Sequence, residues 1–188
     1  MLEDIYLEYM IKKKRSGKQN AIVASVIAAG IILTAAMLTL IFYVAMMLMG
    51  TKFGQFAFSI GFVLIALMWY GAYLLISMHN IEYEYILTNS EVDMDKIMSK
   101  KGRKHIVGFD FKDVTVCANI EDDEHNYNYK NVTVEKTYDL IGDKARGDIY
   151  FADFIDNGVK TRVLFQPTMK MITLAKRFNS KNIFVKED

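Results

Sequence analysis

The chain has 188 residues, 52% of them hydrophobic and 24% charged, with 23 Lys and Arg against 22 Asp and Glu. That length holds one modest domain plus an accessory segment, and a net charge of +1 gives no overall attraction to nucleic acid. A single cysteine and a single proline argue against a secreted disulfide framework and a Pro-rich disordered chain.

Near the N terminus Leu2, Ile5, Tyr6, Tyr9 and Met10 recur at helical spacing while Glu3, Asp4 and Glu8 occupy other faces. The spacing predicts a short amphipathic helix within a basic cytoplasmic segment, residues 1–20, suited to the headgroup plane, to the surface of a soluble domain, or to a frayed terminus. Residues 21–49 and 53–78 contain no Asp, Glu, Lys or Arg. As helices both exceed the ~30 Å hydrocarbon core at about 1.5 Å per residue, which predicts two transmembrane helices. A soluble core able to bury them is out of reach for a chain this short. A cleaved leader has a shorter apolar region, and no small-x-small pattern follows Met49.

Residues 50–52 leave room only for an extracytoplasmic turn, so the two spans form an antiparallel hairpin. Lys12, Lys13, Lys14, Arg15 and Lys18 precede the first span, whereas the turn carries Lys52 alone. That bias predicts a multi-pass protein of the plasma membrane with both termini cytoplasmic. Tyrosine is the only ionisable residue type within either span, whereas transporters and pumps place acids or bases there; the hairpin reads as an anchor.

Residues 79–188 read as one cytoplasmic, mainly antiparallel β domain. Ile81, Tyr83, Tyr85 and Leu87 alternate with polar residues, Asn89-Ser90 turns the chain, and a two-residue loop sets Leu87 opposite Val92 and Tyr85 opposite Met94. Val107, Phe109 and Phe111 share one parity and Val114, Val116, Ala118 and Ile120 another; Val132 and Val134 suggest a shorter strand after the acidic run. Residues 149–155 and 159–165 flank Asp156-Asn157-Gly158, a strong hairpin signal because Asn and Gly tolerate positive φ. Pro167 then opens a terminal helix whose Met171, Leu174, Ala175 and Phe178 form an apolar stripe. Residues 118–148 lack tidy strand spacing.

The strand pair Glu82–Ile97, the basic connector Lys100–Lys104, the segment Gly108–Val114 and the corner Leu164–Thr168 resemble a group of small bacterial membrane proteins in which a two-helix hairpin precedes a bacterial pleckstrin-homology-like domain. The resemblance implies strands in two sheets forming a barrel or sandwich, with one C-terminal helix closing an end. It also implies display and binding rather than a particular chemistry.

Lys96, Lys100, Lys101, Arg103 and Lys104 form the densest basic cluster of the domain and are the candidate site for anionic lipid headgroups or a partner protein. The same charges also serve orientation. They lack the interleaved aromatic residues that single-stranded nucleic acid requires. Asp93 and Asp95 share a strand face but have no third ligand in sequence, and the run Glu121–Glu124 lacks calcium-loop spacing, so no metal is expected. His79, His105 and His125 are scattered, Cys117 sits among apolar strand residues, and no catalytic motif is present. The expectation is a non-enzymatic membrane-anchored scaffold without cofactor. The alternative is an accessory subunit of a larger membrane complex, a transporter or signalling assembly; the partners expected besides the membrane and anionic headgroups are a membrane protein or a second copy of the chain, and an enzyme built on Asp93, Asp95 or His105 is the remote third reading.

Overall fold

A computed structural model describes residues 5–51, 53–99, 102–122 and 124–186. It divides into two units: residues 15–80, and residues 1–14 together with 81–188.

The first unit is two helices, α1 (Gly17–Met47) and α2 (Gly54–Ser77). Ser16 caps α1 through a reciprocal box with Gln19. Both helices are long and apolar enough to cross a membrane, and only 11% and 6% of their most apolar stretches are buried, unlike core helices of a soluble protein. Where they touch, small residues admit large ones: Gly30 lies under the Trp69 ring and a Cβ at Gly61 would collide with Ile41. The indole N–H of Trp69 donates to Thr34 Oγ1 at 3.0 Å, and Thr34 in turn donates to the Gly30 carbonyl.

The second unit begins before the hairpin. The segment expected as an amphipathic helix is a strand, β1 (Tyr6–Lys12), paired antiparallel with β2 (Ile81–Thr88). Its sequence carries two periodicities at once. The helical stripe is broken, and Leu7, Tyr9 and Ile11, two apart, turn inward against the core while Tyr6, Glu8 and Met10 stay exposed. Pairing with β2 decides between them, since Tyr and Ile suit a pleated half-buried surface. The β domain therefore takes in residues on both sides of the hairpin and does not start at residue 79.

Sheet A runs β1-β2-β3-β4, with β3 Glu91–Met98 and β4 Gly102–Asp110. Leu87 faces Val92 and Tyr85 faces Met94, the register that the two-residue Asn89-Ser90 turn dictates. Asn89 has φ 55°, which asparagine tolerates. Sheet B runs β5-β7-β8-β6: β5 Val116–Asn119, β6 Lys136–Asp139, β7 Tyr150–Asp156 and β8 Val159–Phe165. The Asn157-Gly158 hairpin joins β7 and β8 with both turn residues at positive φ. The strand expected at Val132 and Val134 is displaced. That region holds helix α3 (Asn126–Asn131) and a linker, and the strand that follows pairs parallel with β8. Helix α4 (Met169–Lys176) starts after Pro167, with Thr168 as cap, and buries Met171, Ile172 and Ala175.

The inward faces meet in one core, with Phe109 stacked on Phe154 at 4.5 Å and Tyr85 edge-on to Phe165 at 6.0 Å. Gln166 fastens the loop after β6: its carbonyl accepts from Gly142 and Asp143 N–H, and its amide donates to the carbonyls of Asp143 and Gly147. The outer face of sheet B carries a second cluster of Val116, Ala118 and Phe151 under Tyr129 and Phe184.

Candidate functional site

The register of sheet A brings one set of charges together. The end of β1 (Lys12), the start of β2 (Glu82), the end of β3 (Lys96) and the start of β4 (Arg103, Lys104) all lie at the same end of the sheet. The chain leaves the domain there after Lys14 and returns at Ile81; Lys13 N–H donates to the Ile81 carbonyl at 2.8 Å, so the two crossings are adjacent. Lys96 stands opposite Lys104, in the row that continues through Tyr83 to Ile11. Lys13 joins them, its ammonium donating to Tyr83 Oη at 2.9 Å. Lys14 is drawn aside to Asp143 at 3.4 Å. Lys100 and Lys101 lie outside the described residues.

Arg103 has a different job from its neighbours. A bulge between Met94 and Asp95 leaves Ile106 without a partner and sets Asp95 opposite His105. On this outer face Arg103 Nη2 lies 2.5 Å from Glu84 Oε2, and Nε lies 3.6 Å from Asp95. His105 Nδ1 is 3.0 Å from the other oxygen of Asp95. Glu84 is 1% exposed, and its Oε2 has the Arg103 charge beside it but no well-directed hydrogen bond. Loss of water pushes the Glu84 carboxyl up; Arg103 opposes the shift and a hydrogen bond with Glu8 adds to it. Arg103 thus compensates buried acids and is a structural cation first. Sequence placed Glu84 on a polar strand face, and nothing in that alternation signals its burial.

The remaining candidates disperse. Asp93 sits against Gly108, where a Cβ would meet its carboxylate. Asp122 holds His125 at 3.0 Å, and the imidazole stacks on Phe184. Among the described residues no three of His, Cys, Asp and Glu are grouped as metal ligands. Burial pushes the Cys117 thiol up and keeps it protonated, so it is a packed residue. A buried ion pair that sequence did not suggest lies on sheet B: Arg162 grips Asp153 with two bonds of 2.6 Å and donates to the carbonyls of Asn128 and Tyr129, tying α3 to the sheet.

No curated protein and no solved structure matches the chain. A family match runs from before β1, through the hairpin, to the residues after α4. Over residues 3–185 the match is to the bacterial PH-like domain family (DUF6106), and the chain belongs to that family.

Proposed function

We propose that the protein is a non-enzymatic, membrane-anchored scaffold. Helices α1 and α2 cross the plasma membrane as a hairpin, both termini lie in the cytoplasm, and the basic end of sheet A binds an anionic lipid headgroup or a protein partner. The observation that carries this reading is the location of Lys12, Lys13, Lys96 and Lys104 at the sheet end from which the hairpin departs. Only residues 13–16 and 78–80 separate the strands from the helices; the charge of an anionic leaflet is felt over about 8 Å, and each base close to it is worth roughly 1 kcal/mol. β1 also argues against cleavage within or after α1, since that would strip Leu7, Tyr9 and Ile11 from the core.

The test uses the domain with residues 15–80 replaced by a short Gly-Asn turn and vesicles of phosphatidylglycerol. Binding should be weak, fall as salt rises, and be abolished when Lys96, Lys100, Lys101 and Lys104 become Gln, a loss on the order of a thousandfold at roughly 1 kcal/mol per base. Arg103 is left in place because removing it would strand Glu84. Equal binding by both forms, or by neither, rejects the lipid role and leaves the protein partner.

A further inference from the structure

The outer face of sheet B holds a cavity of about 300 Å³, away from the basic end of sheet A. Val116, Ile155, Val132 and Val134 line it, Phe154 contributes from the core side of β7, and polar Thr115, Asn128 and Thr161 complete the wall. Arg162 holds the α3 carbonyls of Asn128 and Tyr129, and Val132 N–H donates to the Asn128 carbonyl at 3.2 Å. Two of the cavity's apolar residues are left facing solvent: Ile155 is 65% and Val132 39% exposed. A soluble surface seldom leaves such residues around a concavity without a use.

The charge at this cavity is one-sided. Asp153 lines it, but both of its oxygens are taken by Arg162. Lys160 lines it too, and among the described residues its ammonium has no carboxylate within ion-pair distance. Glu135 accepts from the Lys160 main-chain N–H at 3.5 Å, and Asp156 accepts from Asn157. An apolar cavity of about 150 Å³ suffices for benzene. Here there is room for a group of that size with a carboxylate at the mouth.

We propose that this cavity binds a small apolar carboxylate, a branched aliphatic or aryl group seated between Val116, Val132, Val134 and Ile155 with its anion on Lys160. The chemistry is shared by free organic acids and by a peptide ending in leucine or phenylalanine. The site does not depend on the lipid reading, since its residues lie on the other sheet.

The experiment is methyl NMR of the full-length protein in lipid nanodiscs, with Ile and Val labelled, titrated with 4-methylpentanoate, 3-phenylpropanoate, a tripeptide ending in leucine, and 4-methylpentanamide as the uncharged control. At least one carboxylate should give saturable shifts at Ile155 and Val132 and bind roughly tenfold or more tighter than the amide, about 1.4 kcal/mol. Saturation by the free acids assigns a metabolite, and saturation by the tripeptide alone assigns a peptide terminus. Lys160→Gln should erase the preference for the anion while leaving the unliganded spectrum otherwise unchanged, and Val134→Phe, which fills the cavity, should abolish binding. The proposal is overturned by the absence of saturable shifts at millimolar concentrations of every carboxylate, by equal binding of acid and amide, or by full affinity in the Lys160→Gln protein.

Discussion

Phe62 on α2 is 59% exposed, whereas Phe165 on β8 is 0% exposed. The two regions are rich in the same apolar residue types but turn them in opposite directions. In the hairpin unit they surround each helix, so the exposed surface suits an apolar medium and the backbone is satisfied within the helix. In the PH-like unit they alternate along strands and face one another across a core, leaving the other parity for Glu, Asp and Lys. The contrast shows that apolar content alone says little about either region. The period at which the apolar residues recur decides whether they face a surrounding medium or each other.

The largest effect expected from that contrast is positional. Phe165→Ala should cost the domain about 3–5 kcal/mol, the usual range for a buried phenylalanine. Phe62→Ala should leave the domain's unfolding transition unmoved. Denaturant titrations of both variants check the pair, and equal effects would mean that the two units do not unfold separately.

Arg162 sharpens the comparison from the polar side, since the hairpin has no buried charge to lose among its described residues. Arg162→Ala strands Asp153, which is 6% exposed, and should destabilise by about 3–5 kcal/mol. Joint replacement by Arg162→Met and Asp153→Leu should recover much of that loss, because a buried pair can be exchanged for apolar residues at little cost. If the double variant were as unstable as the single one, the fastening of α3 rather than charge compensation would be the main role of Arg162.

A smaller and pH-dependent effect belongs to Glu84. Its carboxyl is raised in the folded domain, so between the ordinary glutamate value of 4.5 and the raised one the folded state binds more protons than the unfolded chain. Its contribution is therefore most favourable at acid pH and declines as pH rises through that window. Glu84→Gln should flatten this part of the stability profile, gaining on the wild type as pH increases from 4.5. Unfolding measured across that range checks the sign; a variant that loses ground on alkalinisation would contradict it.

Some of this organisation is written locally and some is not. The Leu87–Val92 register follows from a period of two and a two-residue turn, and the β7–β8 hairpin from Asn157-Gly158, so both are legible in sequence. β1 is not, because Ile5 to Lys12 satisfies helical and strand periodicity together and only a partner 70 residues away settles the choice; Lys13 and Tyr83 mark that separation. β6 is hidden because it pairs parallel with β8 and has one half-buried apolar residue, Tyr138. Of the basic cluster, Lys96 and Lys104 read directly from sequence. The diversion of Arg103 to Glu84 and Asp95 rests on side-chain positions across β2, β3 and β4, and the pairing of Asp95 with His105 on a one-residue bulge, neither of which composition predicts.

The central claim is that the PH-like domain is assembled from both sides of the hairpin, with β1 as a necessary part of it. β1 buries or half-buries Leu7, Tyr9 and Ile11, and a fully buried side chain of this size contributes about 1.5–3 kcal/mol against a total stability of roughly 5–15 kcal/mol. The direct measurement compares the unfolding of two soluble chains: residues 5–14 joined to 81–188 by a short turn, and residues 81–188 alone. The account predicts a cooperative, β-rich transition for the first and a chain without cooperative unfolding for the second. Equal stability of the two would show that the domain is complete without its N-terminal strand and would contradict the account.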